Sequence, residues 1–298
     1  MRFVLAGGSG FLGQALRTRL TGEGHEVTQL VRRPPQAADQ RRWDPDRGQV
    51  DAEVLAGADA VVNLAGANLG RVPWTSSYRQ TIRTSRLGTT STLARALAEL
   101  PDPPVFVSGS ATGYYGKDRG DLLLDEDSPA GDGFLAELCR DWEAATDPAD
   151  RAGVRVVHLR TSPVLDRSGG VFKLMERQFR LGAGGRLGSG RQYLPMIALD
   201  DWLSAVQFLV DRADARGPYN LTIPEPATNA EFTKALGAAL HRPTLLPVPA
   251  VALRTALGEF SAEMLGSVRL MPRRLLDAGF TFAAPDVTAL VDSALHRR

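Results

Sequence analysis

The feature that most constrains the fold is a glycine-rich turn near the start of the chain. Residues 2–6 form a short apolar segment, and Gly7, Gly10 and Gly13 follow with the spacing G-x-x-G-x-x-G before a helical pattern that runs through Leu20. In such a strand–turn–helix unit the first glycine permits a tight turn, the second lets the backbone approach a pyrophosphate, and the third lets helix and sheet pack closely. The anion then lies at the helix N-terminus, where unpaired N–H groups and the helix dipole favour negative charge. The turn therefore predicts a dinucleotide site formed by Gly7, Ser9, Gly10, Phe11, Leu12 and Gly13.

Strand and helix patterns alternate through the first two-thirds of the chain. Strands are expected at residues 2–6, 25–31, 59–64, 105–108 and 154–159, with a short third strand that ends near 43–44, and long helices are expected at about 76–100 and 134–145. Such alternation is typical of βαβ units and of a parallel sheet with right-handed crossovers. The fold class predicted is α/β, a Rossmann-type doubly wound parallel sheet.

The pattern changes beyond about residue 165. Helices at 200–210 and 229–240, a short strand at 218–223 and an apolar tail to Leu295 predict a smaller mixed α/β lobe. We therefore expect a dinucleotide-binding domain at 1–165, to which later segments return, and a substrate-side lobe with a helical tail at 166–298. The cleft between them is the default site for a small-molecule substrate or ligand.

Composition narrows the class of protein. The formal net charge of +1 gives no reason to expect nucleic acid or an acidic membrane surface as a partner. Cys139 is the single cysteine, and neither a signal peptide nor a bilayer-spanning apolar run is present, so a cytoplasmic monomer or homodimer is expected. The four histidines are scattered and show no metal-ligand spacing, so no metal is expected.

The end of the second expected strand bears on which dinucleotide binds. NAD-preferring sites carry an acidic residue about twenty positions after the glycines, but this chain has Arg32 and Arg33 there. A guanidinium complements a 2′-phosphate, so the sequence predicts NADP; the alternative is that both arginines are solvated loop charges. Ser9 could add a contact to the same phosphate. Trp43 and Asp44 would lie beside the adenine, or else form a core tryptophan and a turn.

Several further motifs carry a resemblance to a known family. They lie at residues 63–66 (Asn-Leu-Ala-Gly), 108–116 (Ser-Gly-Ser-Ala-Thr-Gly-Tyr-Tyr-Gly), 185–192, 219–221 and 271–280. Together with the glycine turn they make the chain similar to the extended or atypical short-chain dehydrogenases/reductases of the nucleoside-sugar epimerase type. The later motifs resemble a bacterial subgroup labelled "epimerase family protein", which has its own C-terminal domain of unknown function. The resemblance covers essentially the whole chain.

The resemblance implies two sets of ligand-binding residues. Those expected to line the cofactor are Leu64, Ala65, Gly66, Ser108, Pro163 and Val164. Those expected on the substrate side are Arg86, Arg186, Arg191, Gln192 and Asn220, where arginines would suit a phosphate or carboxylate.

The catalytic residues of the wider family are a Ser or Thr, a Tyr, and a Lys four positions after the Tyr. Ser110 matches the first. The residues four positions after the five tyrosines are Ile82, Asp118, Arg119, Ile197 and Ile223, so no Tyr-x-x-x-Lys exists in the chain. The helix that should carry the pair has Phe134 or Leu135 and Leu138 or Cys139 instead. These side chains can neither donate a proton to a carbonyl oxygen nor stabilise a phenolate.

Two hypotheses follow. In the first, the chain is an NADP-dependent oxidoreductase or epimerase-like enzyme in which Ser110 polarises the substrate oxygen and Tyr114 or Tyr115 donates the proton; both tyrosines could instead be packed aromatics. In the second, it is a non-enzymatic NADP-binding sensor or partner-binding module that lost the chemistry. Cys139 and His158 are interpreted as core residues. The fold does not choose between these two hypotheses.

Overall fold

A computed structural model of the chain describes residues 1–71, 73–244, 246–251, 255 and 261–296. The strands are β1 (Arg2–Ala6), β2 (Glu26–Val31), β3 (Gln40–Arg42), β4 (Ala60–Asn63), β5 (Val105–Ala111), β6 (Leu123–Leu124), β7 (Val156–Thr161), β8 (Val164–Leu165), β9 (Tyr193–Leu194), β10 (Ile197–Ala198), β11 (Gly217–Leu221), β12 (Ala227–Thr228) and β13 (Arg269–Leu270). The helices are α1 (Phe11–Gly22), α2 (Ala52–Leu55), α3 (Ser76–Ala98), α4 (Phe134–Ala144), α5 (Asp147–Arg151), α6 (Gly170–Arg180), α7 (Leu199–Asp211), α8 (Asn229–Ala239), α9 (Ser261–Leu265), α10 (Arg273–Asp277) and α11 (Val287–His296). A 3₁₀ turn covers Thr112–Tyr115.

Seven strands form one parallel sheet in the order β11-β7-β5-β4-β1-β2-β3. The strand order reverses between β1 and β4, which is the position where doubly wound sheets open a crevice for ligands. The prediction of an α/β fold with a doubly wound parallel sheet is confirmed.

Several elements differ from their expected limits, among them β3, which ends at Arg42, and β7, which covers Val156–Thr161. β5 continues to Ala111, three residues beyond the expected end, because its ladder with β7 extends to the Ser110–Arg160 and Ala111–Thr161 pairs. β11 comes from the region expected to form the smaller lobe, but it pairs with β7 at the edge of the central sheet.

Both faces of the sheet are covered, so its strands are buried on both sides. Helices α1 and α7 cover one face, where Leu16 and Trp202 pack with Val107. Helices α3 and α5 contribute to the other face, where Leu93 packs with Phe106. Alternate residues of β5 thus enter opposite cores, as strand geometry requires.

The C-terminal segment is attached to the rest of the chain by hydrogen bonds and by apolar packing. β13 pairs in parallel with β6, and α11 packs against α8. The buried Asp201 carboxylate of α7 accepts hydrogen bonds from the backbone N–H groups of Ala283 (2.7 Å) and Ala284 (2.9 Å). Across the described part of the chain, no helix combines the length and apolar character needed to cross a membrane.

Candidate active site

The glycine turn joins β1 to α1 at the carboxyl edge of the sheet. Gly7 has a φ of +85°, and a Cβ there would lie 2.6 Å from the carbonyl carbon of Leu64. A Cβ on Gly13 would lie 2.2 Å from the carbonyl oxygen of Gly7, so only glycine lets the helix pack on the turn. At Gly10 the nearest protein atom would be 3.5 Å away, an ordinary contact. Packing within the protein therefore requires the first and third glycines but leaves the surface of Gly10 open.

The N-terminus of α1 is suited to an anion. No side chain caps it and no acidic residue lies in its first turn. Its first N–H groups, at Phe11, Leu12 and Gly13, have no intrahelical partner and carry partial positive charge. Ser9 is exposed beside them, and its carbonyl oxygen accepts a hydrogen bond from Gln14 Nε2 (3.0 Å).

Two arginines follow β2, at the next strand along the edge of the sheet. Arg32 and Arg33 are exposed, and neither forms an ion pair or hydrogen bond with another described residue. Trp43, in contrast, is buried with Leu30 in the core, so of the two alternatives for it the structure has the core tryptophan. Asp44 closes a turn and accepts a hydrogen bond from the backbone N–H of Arg47 (3.3 Å).

An acidic residue that was not predicted from the sequence, Asp39, lies near the turn. Gln29 Nε2 donates to its Oδ2 (2.9 Å), and the Arg17 guanidinium lies 3.6 Å from the same oxygen. Gln29 in turn lies against the turn, since a Cβ on Gly8 would be 2.8 Å from its Oε1. The negative charge of Asp39 is thus already paired within the protein.

The loop after β4 is held against α3 by hydrogen bonds. Asn63 Oδ1 accepts from the Ala65 N–H (3.1 Å), and Ser85 Oγ accepts from the Ala67 N–H (2.9 Å). Leu64 and Ala65 are half-buried and Gly66 is exposed at the edge of the sheet. The loop is therefore rigidly placed beside the glycine turn, with Gly66 accessible.

The remaining residues expected to line the cofactor differ in exposure. Ser108 is fully buried and its hydroxyl donates to the carbonyl oxygen of Gly109 (3.3 Å). Pro163 is exposed and Val164 is buried in β8. The Pro163 carbonyl oxygen accepts from the Ile197 N–H (3.2 Å), which joins β8 to β10.

Ser110 lies at the end of β5 and is bonded to a carboxylate. Its hydroxyl donates to Glu143 Oε1 on α4 (2.6 Å). Arg160, opposite Ser110 on β7, donates to both Glu143 oxygens (2.9 Å each). Burial alone would raise the pKa of Glu143, but the hydrogen bonds and charge of Arg160 outweigh it and lower that pKa. Glu143 is therefore ionised at neutral pH, and the proton of Ser110 points to it rather than to a ligand.

Tyr115 lies in the interior, not in the cleft. It is 0 % exposed, its hydroxyl donates to Asn220 Oδ1 (2.7 Å), and Arg160 Nη1 donates to it (3.0 Å). Burial raises the pKa of Tyr115, so the phenol keeps its proton. Tyr114 is half-buried and its ring lies 3.5 Å from the Arg160 guanidinium carbon. The five side chains of Ser110, Glu143, Arg160, Tyr115 and Asn220 form one connected network.

The substrate-side residues differ in exposure and in their hydrogen-bond partners. Asn220 is fully buried, and Glu126 Oε1 accepts from its backbone N–H (2.9 Å). Gln192 is buried and donates to the carbonyl oxygen of Leu187 (3.1 Å). Arg186 and Arg191 are exposed, whereas Arg86 is buried. The interior positions of Asn220 and Gln192 do not fit the expected contact with substrate, because their polar atoms are bonded within the protein.

Helix α4 has no proton-transfer group at the positions where the family pair would lie. Phe134 is half-buried against Trp74, with ring centroids 5.9 Å apart, and Leu135 packs on Gly113. Leu138 and Cys139 are buried, and burial raises the pKa of Cys139 to about 12. His158 is nearly buried and bonded to Thr146 (2.9 Å), and burial lowers its pKa. Within the described ranges no three His, Cys, Asp or Glu side chains could hold a metal ion.

Glu143 and Arg160 also belong to the site without having been predicted from the sequence. The sequence contains a sign of the role of Arg160, because Arg160 comes directly after the expected strand that ends at Leu159. A charged residue at that position must be paired if it is buried. Glu143 lies on the polar-patterned part of α4, where a glutamate is unremarkable by itself.

Comparison with known proteins gives consistent matches over almost the whole chain. Residues 3–222 match the NAD dependent epimerase/dehydratase family, and residues 248–294 match a domain of unknown function, DUF1731. An epimerase family protein of Mycobacterium leprae is 46% identical over 280 residues, which cover 94% of this chain and 91% of that protein.

Two solved structures are similar in both sequence and fold. The crystal structure of the human epimerase family protein SDR39U1 (isoform 2) with NADPH is 34% identical, with a TM-score of 0.88 and 99% of each chain covered. The crystal structure of a nucleoside-diphosphate sugar epimerase from Corynebacterium glutamicum is 36% identical, with a TM-score of 0.81. That match covers 99% of this chain and 58% of the Corynebacterium chain.

Proposed function

The chain belongs to the NAD dependent epimerase/dehydratase family, and on that premise we propose that it binds NADP(H) and acts as an oxidoreductase or epimerase-like enzyme on a small molecule. The observation that carries the proposal is the open N-terminus of α1 beside Gly10, with Arg32 and Arg33 free at the next strand. A similar human protein was solved with NADPH, which supports the choice of cofactor.

The residues present fit the cofactor. The glycine turn and the N–H groups of Phe11, Leu12 and Gly13 would hold the diphosphate, and Arg32 and Arg33 would hold the 2′-phosphate. The carboxylate of Asp39 would not repel that phosphate strongly, because Gln29 and Arg17 already bind the carboxylate. When bound, the nicotinamide would supply hydride transfer.

The Ser110–Glu143 pair would handle the proton. Because the Ser110 proton is donated to Glu143, the serine offers a ligand its lone pairs and suits a hydrogen-bond donor such as a substrate hydroxyl. A proton leaving that hydroxyl would pass to Ser110 Oγ as the serine proton passes to Glu143. Accepting a proton in this way differs from the role predicted from the sequence, in which Ser110 polarises a substrate oxygen. That role would need the Ser110 hydroxyl proton to point to the substrate instead of to Glu143. Tyr114, half-buried at the same strand end, remains the tyrosine candidate; the buried Tyr115 does not.

The cofactor part of the proposal is tested by titrating NADPH and NADH and following nicotinamide fluorescence. NADPH is expected to bind at least tenfold tighter than NADH, and the Arg32→Ala/Arg33→Ala double variant is expected to lose that preference. Arg151→Ala, which removes an exposed charge on α5, is the control and should keep it. Equal affinity for NADH and NADPH in the unaltered protein would refute the role of the two arginines.

The reaction is tested by screening NADP⁺ reduction across alcohols and nucleotide-sugars, and NADPH oxidation across the matching carbonyl compounds. Ser110→Ala is expected to abolish any turnover found and to leave NADPH affinity within about twofold, because Ser110 is a proton-handling residue. Silence across the panel together with tight NADPH binding would favour the second hypothesis, a non-enzymatic sensor or partner-binding module. The absence of a Tyr-x-x-x-Lys in the sequence is the observation that favours it.

A further inference from the structure

Arg86 of α3 is a buried arginine for which the described part of the chain provides no counter-ion. The residue is 7 % exposed, and no Asp or Glu among the described residues pairs with it. Its Nη1 donates to the carbonyl oxygens of Ala67 (3.1 Å) and Ile82 (3.3 Å), and its guanidinium carbon lies 5.0 Å from the centre of the Trp142 ring. Its Nε has no hydrogen-bond partner among the residues that the structure describes.

The guanidinium lies directly against the loop after β4. A Cβ placed on Gly66 would be 3.1 Å from Arg86 Cγ, Cζ and Nη1. The same loop touches the glycine turn, since the carbonyl carbon of Leu64 would be 2.6 Å from a Cβ on Gly7. Arg86 therefore places its charge at the carboxyl edge of the sheet, where the strand order reverses and open α/β sheets bind ligands.

The charge of Arg86 is not compensated by its surroundings. Burial lowers its pKa to about 10, which still leaves the guanidinium charged at neutral pH. The neighbouring acidic groups are the Cys139 thiol and the Tyr78 hydroxyl, and burial raises the pKa of Cys139 to about 12, so the thiol stays neutral. Two carbonyl oxygens and one aromatic ring offset only part of the cost of burying a cation, and a donor left without a partner adds to it. An anion bound at the loop would supply the missing counter-charge.

We propose that Arg86 is an anion-binding residue of the cleft, which holds a phosphate or carboxylate group over residues 65–67. This inference deepens the proposed function and rests on it. Two sources have the required chemistry: the diphosphate of the cofactor, and an acidic group of the second ligand, such as the diphosphate of a nucleotide-sugar. A bound anion would account for a buried arginine that has no carboxylate partner among the described residues.

The test measures affinity for three probes in the full chain. NADPH is titrated by fluorescence. Inorganic pyrophosphate and UDP are titrated by calorimetry, and these two titrations are done both with and without saturating NADPH. The variants are Arg86→Met, which removes the charge; Arg86→Lys, which keeps the charge without the planar fork; and Arg95→Met as the matched control, an exposed arginine on the same helix.

We expect Arg86→Met to weaken at least one probe by about tenfold to a hundredfold, the range for a charge-assisted hydrogen bond, and Arg86→Lys to weaken it less. Loss of NADPH affinity would assign the anion to the cofactor, and loss of UDP affinity for the NADPH complex, with NADPH unchanged, would assign it to the second ligand. Arg95→Met should change nothing. If Arg86→Met does not fold, Arg86→Lys carries the test, with an expected loss of about threefold to tenfold.

Affinities within twofold for all three probes in both Arg86 variants would overturn the inference while leaving NADP(H) binding intact. A protein that binds no NADPH at all would instead refute the proposed function. The pyrophosphate and UDP titrations without NADPH would then still decide the role of Arg86, because binding of neither anion would also overturn it.

Discussion

Arg160→Met is expected to destabilise the protein through a carboxylate left alone in the interior. Arg160 is 3 % exposed and donates to both oxygens of Glu143, to the Tyr115 hydroxyl and to the carbonyl oxygen of Glu126. Methionine fills a similar volume but provides none of these bonds. Removing one partner of a buried ion pair costs about 3–5 kcal/mol, because the other charge stays buried and unpaired. That is a large fraction of the roughly 5–15 kcal/mol by which a domain is stable.

The pH dependence of this loss has a definite sign. In the unaltered protein Arg160 lowers the pKa of Glu143 against the opposing effect of burial. The ionised carboxylate therefore stabilises the fold above its ordinary pKa of 4.5, and this contribution is lost as the pH falls through the lowered pKa. In Arg160→Met the hydrogen bonds and charge of Arg160 are gone, and burial, the largest single influence, raises the pKa of Glu143 against the remaining hydrogen bond from Ser110. The variant then recovers stability as the pH falls and the carboxylate takes up a proton. The gap in unfolding free energy is expected to be largest near pH 8 and at least about 1 kcal/mol smaller at pH 5, since one pKa unit corresponds to about 1.4 kcal/mol.

Urea unfolding followed by tryptophan fluorescence at pH 5 and pH 8 measures that gap. The Arg160→Met/Glu143→Gln double variant is expected to lie within about 2 kcal/mol of the unaltered protein, because both charges are then gone. Arg151→Met, which breaks an exposed ion pair with Asp147, should cost less than about 1 kcal/mol. A gap below about 1 kcal/mol for Arg160→Met at pH 8, or an equal gap at both pH values, would refute the reasoning.

Three further predictions concern packing and reactivity. Gly13→Ala should destabilise the protein by about 1–3 kcal/mol and weaken NADPH binding, because its Cβ would meet the Gly7 carbonyl oxygen at 2.2 Å. Gly22→Ala is the control and should be neutral or stabilising, because the space around Gly22 is open. Thermal unfolding with and without NADPH compares the two variants. Cys139, buried and with a pKa of about 12, should resist iodoacetamide at pH 8 until urea unfolds the chain, and rapid labelling of the native protein in mass spectra would contradict its inert role. Asp201→Ala should cost about 2–4 kcal/mol in urea unfolding, because two backbone N–H groups of the C-terminal segment lose their acceptor, and unchanged stability would show that the segment is held by packing alone.

Most strands of the sheet were accessible to sequence reasoning because both faces of a parallel sheet are buried. β1 and β4 are short, mostly apolar runs next to turn residues, and such runs predict strands without knowledge of their partners. The end of β5 was not accessible in this way. Gly109 and Ser110 do not favour a strand by themselves, and it is the ladder with β7 that extends the strand to Ala111.

Some residues of the candidate site could likewise be identified from the sequence, but their partners could not. Ser110 could be identified from a motif, but its partner Glu143 lies 33 positions away and only the packing of α4 against β5 brings them together. Tyr115 could be considered a proton donor until the fold placed it against Asn220, 105 positions further on. Arg86 gave no sign of burial, because its helix pattern is compatible with an exposed arginine.

The sequence by itself determined the glycine turn, the parallel sheet and the absence of a Tyr-x-x-x-Lys pair, because these depend on residue identity and local periodicity. Only the tertiary structure decided where the Ser110 proton points, which tyrosine is buried and that Arg86 has no counter-ion within the described ranges. The physical reason is that hydrogen-bond direction, burial and charge compensation are properties of neighbours in space, and those neighbours come from distant parts of the chain. The turn that organises the fold is local; the groups that would do chemistry beside it are not.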